Sequence, residues 1–321
     1  MLAIVHDFDP VIFDIWGPLK LRWYGLSYLL GFVAAFLLLR FLSRRSLWVI
    51  AENKIGDFIA MLAMFGVFLG GRLGYVFFYM IPESGWGIFA DDPWVAFKVS
   101  DGGMASHGGF LGVAIFTWIY ARKNQLSWLG IGDGICIVAP LGLMFGRLAN
   151  FINGELYGRV TSSVAWAIKF PQALHEETFI TQQNIIDECA DKAPDFTTMV
   201  SSGQGLEEAV RQSSEVKQIA EQYLTARHPS QLYEAALEGI VLFSIMWILR
   251  MRYPKAPHGM ISGVFFILYG VFRTVVEQYR QPDSALMFNT LTKGQFFSLI
   301  MVLAGVAFLV LAKRKSAANH G

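Results

Sequence analysis

"IGDFIAMLAMFGVFLGGRLGYVFFYMI", Ile55 to Ile81, is apolar along its length apart from Asp57 near its start and Arg72 deep inside. A helix that crosses the hydrocarbon core of a bilayer needs roughly 20 such residues. The stretch is longer than that, so it reads as a membrane-spanning helix that carries one cation at membrane depth. Six further apolar stretches flank it, at 23–43, 103–121, 128–153, 232–250, 259–279 and 294–312. The expected fold class is an all-α polytopic integral membrane protein with about seven transmembrane helices. Composition agrees: of 321 residues 54% are hydrophobic and only 16% charged, with 27 Phe and 9 Trp, too little polar surface for a water-soluble globule.

Charge placement gives the orientation. Basic clusters sit at alternate connections: Arg40, Arg44, Arg45 and Lys54; Arg122 and Lys123; Arg250, Arg252 and Lys255; Lys313, Arg314 and Lys315. By the positive-inside rule these ends are cytoplasmic, which puts the C-terminus inside and the N-terminus outside, with Lys20 and Arg22 outvoted. The one long polar segment, about Leu156 to Arg227, then faces outward as a small head domain. Its second half spaces Leu206, Val210, Val216, Ile219 and Leu224 as a helix would. The expected division is 1–155 for the first four spans, 156–228 for the head and 229–321 for the last three. Acidic residues in "MLAIVHDFDPVIFDIWG" argue against a cleaved signal and for a retained first span.

Several classes are excluded. A net charge of +1, no basic tail and no nucleic-acid motif leave nothing to bind nucleic acid. Cys136 and Cys189 form no CxxC and have no histidine pair nearby, and "HEETF" is not HExxH, so no metal or other cofactor is expected. No internal repeat supports a transporter.

Ionisable groups at membrane depth cost about 2.5–3.5 kcal/mol each on insertion scales, so each needs a partner or a function. This chain has many: Arg72, His107 in "DGGMASHGGFLG", Arg147 in "GLMFGRLANFINGE", Glu234 and Glu238 in "SQLYEAALEG", and Arg273 and Glu277 in "LYGVFRTVVEQYRQPD". Most fall toward the outer ends of their spans. Tyr269, Arg273 and Glu277 follow i, i+4, i+8, and Arg280 extends the stripe; Arg147, Asn150 and Gly154 follow i, i+3, i+7. Two arginine stripes on separate helices make a clamp for an anion, because a guanidinium fork matches phosphate oxygens. The competing reading is a structural pairing of Arg273 with Glu277. Asn150 and Asn153 should face protein or substrate, since their amides are costly in lipid. His107, among glycines, has room for a ligand and an imidazole suited to taking a proton; alone it reads equally as a packing residue. Arg72 reads as a substrate contact or as an anchor for a carboxylate on another helix. Tyr24 reads as an interfacial belt residue.

These motifs together resemble the bacterial prolipoprotein diacylglyceryl transferase family, whose signature is similar to "GRLANFINGELYGR" at 146–159. "RWYGLSYLLGF", "FLGGRLGYVFFY", "DGGMASHGG", "RHPSQLYEAALEG" and "YGVFRTVVEQYRQPD" follow the family's order, and the likeness covers all but about 172–226, where the head segment is longer than in many relatives. The resemblance implies seven transmembrane helices in the bacterial inner membrane. It also implies transfer of the diacylglyceryl group of phosphatidylglycerol to the lipobox cysteine of a preprolipoprotein signal peptide, releasing glycerol 1-phosphate. Family positions map onto Tyr24, His107, Arg147, Asn150, Glu155, Gly158, Tyr269, Arg273 and Glu277. On this basis His107 is the expected base, with Arg147 and Arg273 as the catalytic clamp. Arg147, Asn150, Asn153, Tyr24, Gly158 and Tyr269 are expected to bind phosphatidylglycerol, and Glu155, Glu277 and Arg72 to orient the arginines and their surroundings. The rival readings are a transporter or channel for an anionic solute and an intramembrane protease, the latter lacking a serine or aspartate dyad beside His107.

Overall fold

The computed structural model describes residues 3–16, 19–98, 103–201, 205–281 and 292–318. All seven apolar stretches are helical. The helices are α1 (Trp23–Arg44), α2 (Glu52–Ser84), α3 (Ser106–Lys123), α4 (Trp128–Asn153), the head helices α5 (Phe179–Lys192), α6 (Leu206–Gln212) and α7 (Ser214–Tyr223), then α8 (Ser230–Arg252), α9 (Met260–Val276) and α10 (Lys293–Ala318). By length and apolarity α1, α2, α4, α8 and α10 are each able to cross a membrane, and α9 is a shorter apolar helix. The third expected span forms α3, whose 18 residues include two basic ones in its last turn.

The chain divides into two compact units. The first comprises 1–31, 139–247 and 264–307. Its head is built around Val5, Ile185, Cys189, Val200, Leu206, Val210, Val216, Ile219 and Leu224, so the apolar spacing expected there does mark a buried face. The stripe is split between two helices, because Ser213 ends α6 and its hydroxyl accepts the Val216 N–H, 3.3 Å away, to start α7. Three two-residue strands tie the head together: β1 (Ile4–Val5) runs parallel to β4 (Ile168–Lys169), which pairs antiparallel with β5 (Ala226–Arg227). A hairpin of β2 (Val11–Trp16) with β3 (Leu19–Arg22) leads into α1. Such short strands carry no alternation that a sequence reading detects. His6 follows β1; its ring Nε2–H donates to the Phe151 carbonyl at 2.6 Å, and its ring stacks 5.4 Å from Phe170. Burial holds this imidazole below its ordinary pKa.

The second unit comprises 32–138, 248–263 and 308–321. Within it α2 and α3 approach at backbone contact along Gly66, Gly70 and Gly74 on one helix and Gly108 and Gly112 on the other; a Cβ on Gly74 would lie 2.4 Å from Gly108 Cα. Small residues at this spacing let two apolar helices pack by dispersion where lipid supplies no hydrophobic drive. Asp133 caps α9 from α4: its carboxylate accepts the Gly259 N–H, the Ser262 N–H and the Ser262 hydroxyl, each at 2.8 Å. Both cysteines are free and buried.

Candidate functional site

The polar stretch at the end of α4 turns sharply. Gly154 (φ +75°) and Leu156 (φ +57°) both take left-handed backbone, which glycine accepts readily and leucine only under constraint. The constraint is visible. Gln231 Nε2 donates to the Glu155 carbonyl at 2.6 Å, the Ser230 hydroxyl donates to the Leu156 carbonyl at 3.1 Å, and the Gly158 N–H donates to the His228 carbonyl at 2.8 Å. A Cβ on Gly158 would lie 2.5 Å from the carbonyl oxygens of His228 and Tyr279, so only glycine fits between those strands of chain. The turn curls Glu155 back over the helix end, where its Oε1 accepts the amide of Asn150 at 2.7 Å and that of Asn153 at 3.4 Å. Asn153 Oδ1 is buried and accepts nothing from the described residues.

One turn earlier α4 presents Arg147, and here the first unit's charges meet. Glu234, fully buried near the start of α8, is the hub: Arg147 Nε lies 3.0 Å from Oε2, Arg280 Nη1 lies 2.9 Å from Oε1, and Arg273 Nη1 hydrogen-bonds the same Oε1. Arg273 also lies 3.7 Å from Glu238 and places Nη2 2.9 Å from Glu277. Three guanidiniums thus share three carboxylates, the balance that a low-dielectric interior demands. The sharing is uneven. The carboxylates of Glu234 and Glu238 are completely enclosed, whereas Arg147 and Arg273 keep 19% and 13% of their side-chain surface open. Arg147 meets Glu234 through Nε, and its Nη fork has no hydrogen-bond partner among the described residues. Tyr269, one turn before Arg273, stands within electrostatic reach of Glu238, Arg147 and Arg273. Gly294 lies against Glu277, since a Cβ there would meet Oε2 at 2.6 Å.

The remaining expected residues fall elsewhere. Arg72 is buried in the second unit and anchors the following loop: Nε donates to the Ala96 carbonyl at 2.7 Å, Nη1 to Gly103 at 3.0 Å, and Nη2 to Val95 at 2.8 Å and Lys98 at 2.9 Å. These partners are backbone carbonyls of one loop. His107 is the second residue of α3 in the same unit, with an exposed side chain; Asp101 and Gly102 of its motif lie outside the described residues, as do Pro282 and Asp283 of the α9 motif. Tyr24, in the first turn of α1, packs its ring 5.5 Å from Tyr28, and its carbonyl accepts the Ser27 hydroxyl at 2.7 Å.

Two sequence expectations are altered by this geometry, and the weight of a third residue emerges only from it. Glu155, expected to orient the arginines, holds the two asparagines instead, because the left-handed turn carries it back along α4. Arg280 is not on a continuous helical stripe: α9 ends at Val276, and Arg280 returns through a bridge between Gly158 and its own backbone to reach Glu234. Glu234 was visible only as one charge among several in "SQLYEAALEG". Its rank as hub depends on partners from positions 147, 273 and 280, which no local spacing reveals.

The model of the family described as prolipoprotein diacylglyceryl transferase matches residues 10–311. A protein of Photorhabdus laumondii named phosphatidylglycerol--prolipoprotein diacylglyceryl transferase is 41% identical over 95% of this chain and 93% of its own. Proteins of the same name from Proteus mirabilis and Xanthomonas oryzae are 40% and 39% identical, each over 98% of this chain and 95% and 94% of their own. On a match of this extent the chain belongs to the prolipoprotein diacylglyceryl transferase family.

Proposed function

We propose that the protein transfers the diacylglyceryl group of phosphatidylglycerol to the thiol of the lipobox cysteine in a preprolipoprotein signal peptide, the first step of lipoprotein maturation. It would do so in the bacterial inner membrane, with the N-terminus periplasmic and the C-terminus cytoplasmic, as the basic clusters at alternate connections argue. The names of its relatives support the reaction. The observation that carries the chemistry is Arg147: a guanidinium whose Nε rests 3.0 Å from a fully buried carboxylate while 19% of its side-chain surface stays open.

The reaction balances as a displacement. The cysteine sulfur bonds to the glycerol carbon that bears the phosphate, the carbon–oxygen bond breaks, and its electron pair leaves on the phosphate of glycerol 1-phosphate. A phosphodiester becomes a monoester, so negative charge grows on phosphate as the bond breaks. Donors fixed beside it stabilise the transition state more than the ground state. Arg147 and Arg273 fill that role, with Glu234 positioning both guanidiniums and Glu277 holding Arg273 Nη2. Asn150, Asn153, Tyr24 and Tyr269 line the lipid headgroup in this reading, and Gly158 serves it by closing the turn that fixes Glu155.

A free thiol has a pKa of about 8.5, so only a few per cent is thiolate near neutrality. His107 is the group assigned to accept its proton, an imidazole being suited to that transfer. In His107→Gln the rate falls and the acidic limb of the pH–rate profile is lost; a profile matching wild type removes His107 from this role. The reaction itself is tested by incubating detergent-solubilised protein with phosphatidylglycerol and a lipobox peptide. A thioether-linked diacylglyceryl mass increment on the cysteine supports it; none, with a folded protein, overturns it and favours an anion transporter.

A further inference from the structure

Glu238 is left over by this account. It sits one turn beyond Glu234 in α8, its side chain is fully buried, and neither carboxylate oxygen accepts a hydrogen bond from the described residues. Its nearest cation, Arg273, lies 3.7 Å from Oε1, beyond hydrogen-bonding distance, and directs Nη1 to Glu234 and Nη2 to Glu277. A buried acceptor without a donor costs about 1–3 kcal/mol, and more when charged, so such a group is retained only where something supplies the donors. Charge balance does not supply them, because the arginines already converge on Glu234 and Glu277.

We propose that Glu238 reads the headgroup of the lipid: while Arg147 and Arg273 hold the phosphate, the two hydroxyls of the terminal glycerol donate to its two carboxylate oxygens. The inference rests on the transfer reaction proposed above. Its support is a match of complementary groups. Phosphoglycerol carries one anion and, one short carbon chain away, two adjacent O–H donors; the cluster carries the partly open guanidinium of Arg147 and, 3.7 Å from the second guanidinium, a carboxylate whose two oxygens lack donors among the described residues. Arg273, whose Nη1 lies 3.7 Å from Glu238, keeps 13% of its side-chain surface open. A headgroup without hydroxyls leaves the carboxylate unpaired at the moment the phosphate binds, and a site built to receive hydroxyls discriminates strongly against their loss.

The test compares phosphatidylglycerol, phosphatidylethylene glycol and phosphatidylpropanol as diacylglyceryl donors to a lipobox peptide. Hydrogen bonds to a charged group are worth about 1.5–3 kcal/mol, so kcat/KM falls by about tenfold or more for each hydroxyl removed. In Glu238→Ala the ratio between phosphatidylglycerol and phosphatidylpropanol collapses toward 1. A wild-type protein that uses the three lipids within about threefold of one another overturns the proposal without any variant. So does a folded Glu238→Ala protein that keeps the wild-type ratio. If wild type forms no thioether product from phosphatidylglycerol, the underlying reaction is what fails, and that result is distinct from a flat lipid preference.

Discussion

Arg72 and Arg147 enter the sequence in nearly the same words, "GGRLGY" and "FGRLAN", each an arginine behind a glycine in a long apolar helix. The structure gives them opposite surroundings. Arg72 directs both edges of its guanidinium to four backbone carbonyls of the loop after α2, so its hydrogen bonds hold chain to chain. Arg147 rests Nε on Glu234, and its fork donates no hydrogen bond to the described residues. The lesson is that a buried charge announces only that something must satisfy it. What satisfies it decides its role: the carbonyls of one loop make an anchor, and a shared carboxylate that leaves donors over makes a receptor for an anion.

The largest expected effect comes from removing what holds the receptor together. Glu234→Ala leaves Arg147, Arg273 and Arg280 facing one another without their common counter-ion. Breaking a buried pair in this way costs about 3–5 kcal/mol, so the variant should melt far below wild type or fail to accumulate, as thermal unfolding in detergent will show. A melting temperature near that of wild type would mean that the arginines do not depend on this hub. Next, Arg72→Lys replaces a fork by an ammonium with three donors that cannot span the four carbonyls. Each carbonyl left unpaired costs about 1–3 kcal/mol, and the effect should appear as a lower melting temperature and faster proteolysis of the loop around Ala96. A variant of wild-type stability that loses catalysis alone would make Arg72 a second receptor and erase the contrast.

The smallest effect tests a charge that is neither anchor nor receptor. Glu207 in the head is pushed up to about 7, chiefly by burial, with Arg211 opposing the shift and Glu155 and Glu208 adding to it. Its folded pKa exceeds the unfolded value, so folding favours the protonated form. The stabilisation is present below the unfolded pKa and is lost as pH rises toward and through about 7. Glu207→Gln should therefore flatten the change in melting temperature between acidic and mildly alkaline pH and add about 1 kcal/mol of stability at the alkaline end after solvent screening. An unaltered pH profile would show that another group carries that dependence.

The sequence made the helices legible for a physical reason: lipid imposes long apolar runs, and all seven stretches are helical. The head's buried face was legible in Leu206, Val210, Val216, Ile219 and Leu224, although the cap at Ser213 that divides the face was not. Within the site, Arg147 and Arg273 could be singled out because each is costly alone in an apolar helix. Glu234 could not be ranked above Glu238, since both are carboxylates on one helix, and only the meeting of Arg273 and Arg280 on Glu234 Oε1 separates a carboxylate with two donors from one with none among the described residues. Glu155 was misread because its partners depend on two left-handed residues, one of them the non-glycine Leu156, that spacing does not encode.

The central claim is that Arg147 holds the phosphate of the diacylglyceryl donor by its fork, and Arg147→Lys tests it most directly. The lysine keeps the charge beside Glu234 and loses the bidentate geometry. The measurement is kcat for transfer from phosphatidylglycerol to a lipobox peptide at saturating lipid, normalised to folded protein. A loss of about 10²–10³-fold at a melting temperature near wild type is the predicted result. Transfer within about threefold of wild type, with the same lipid dependence, would contradict it.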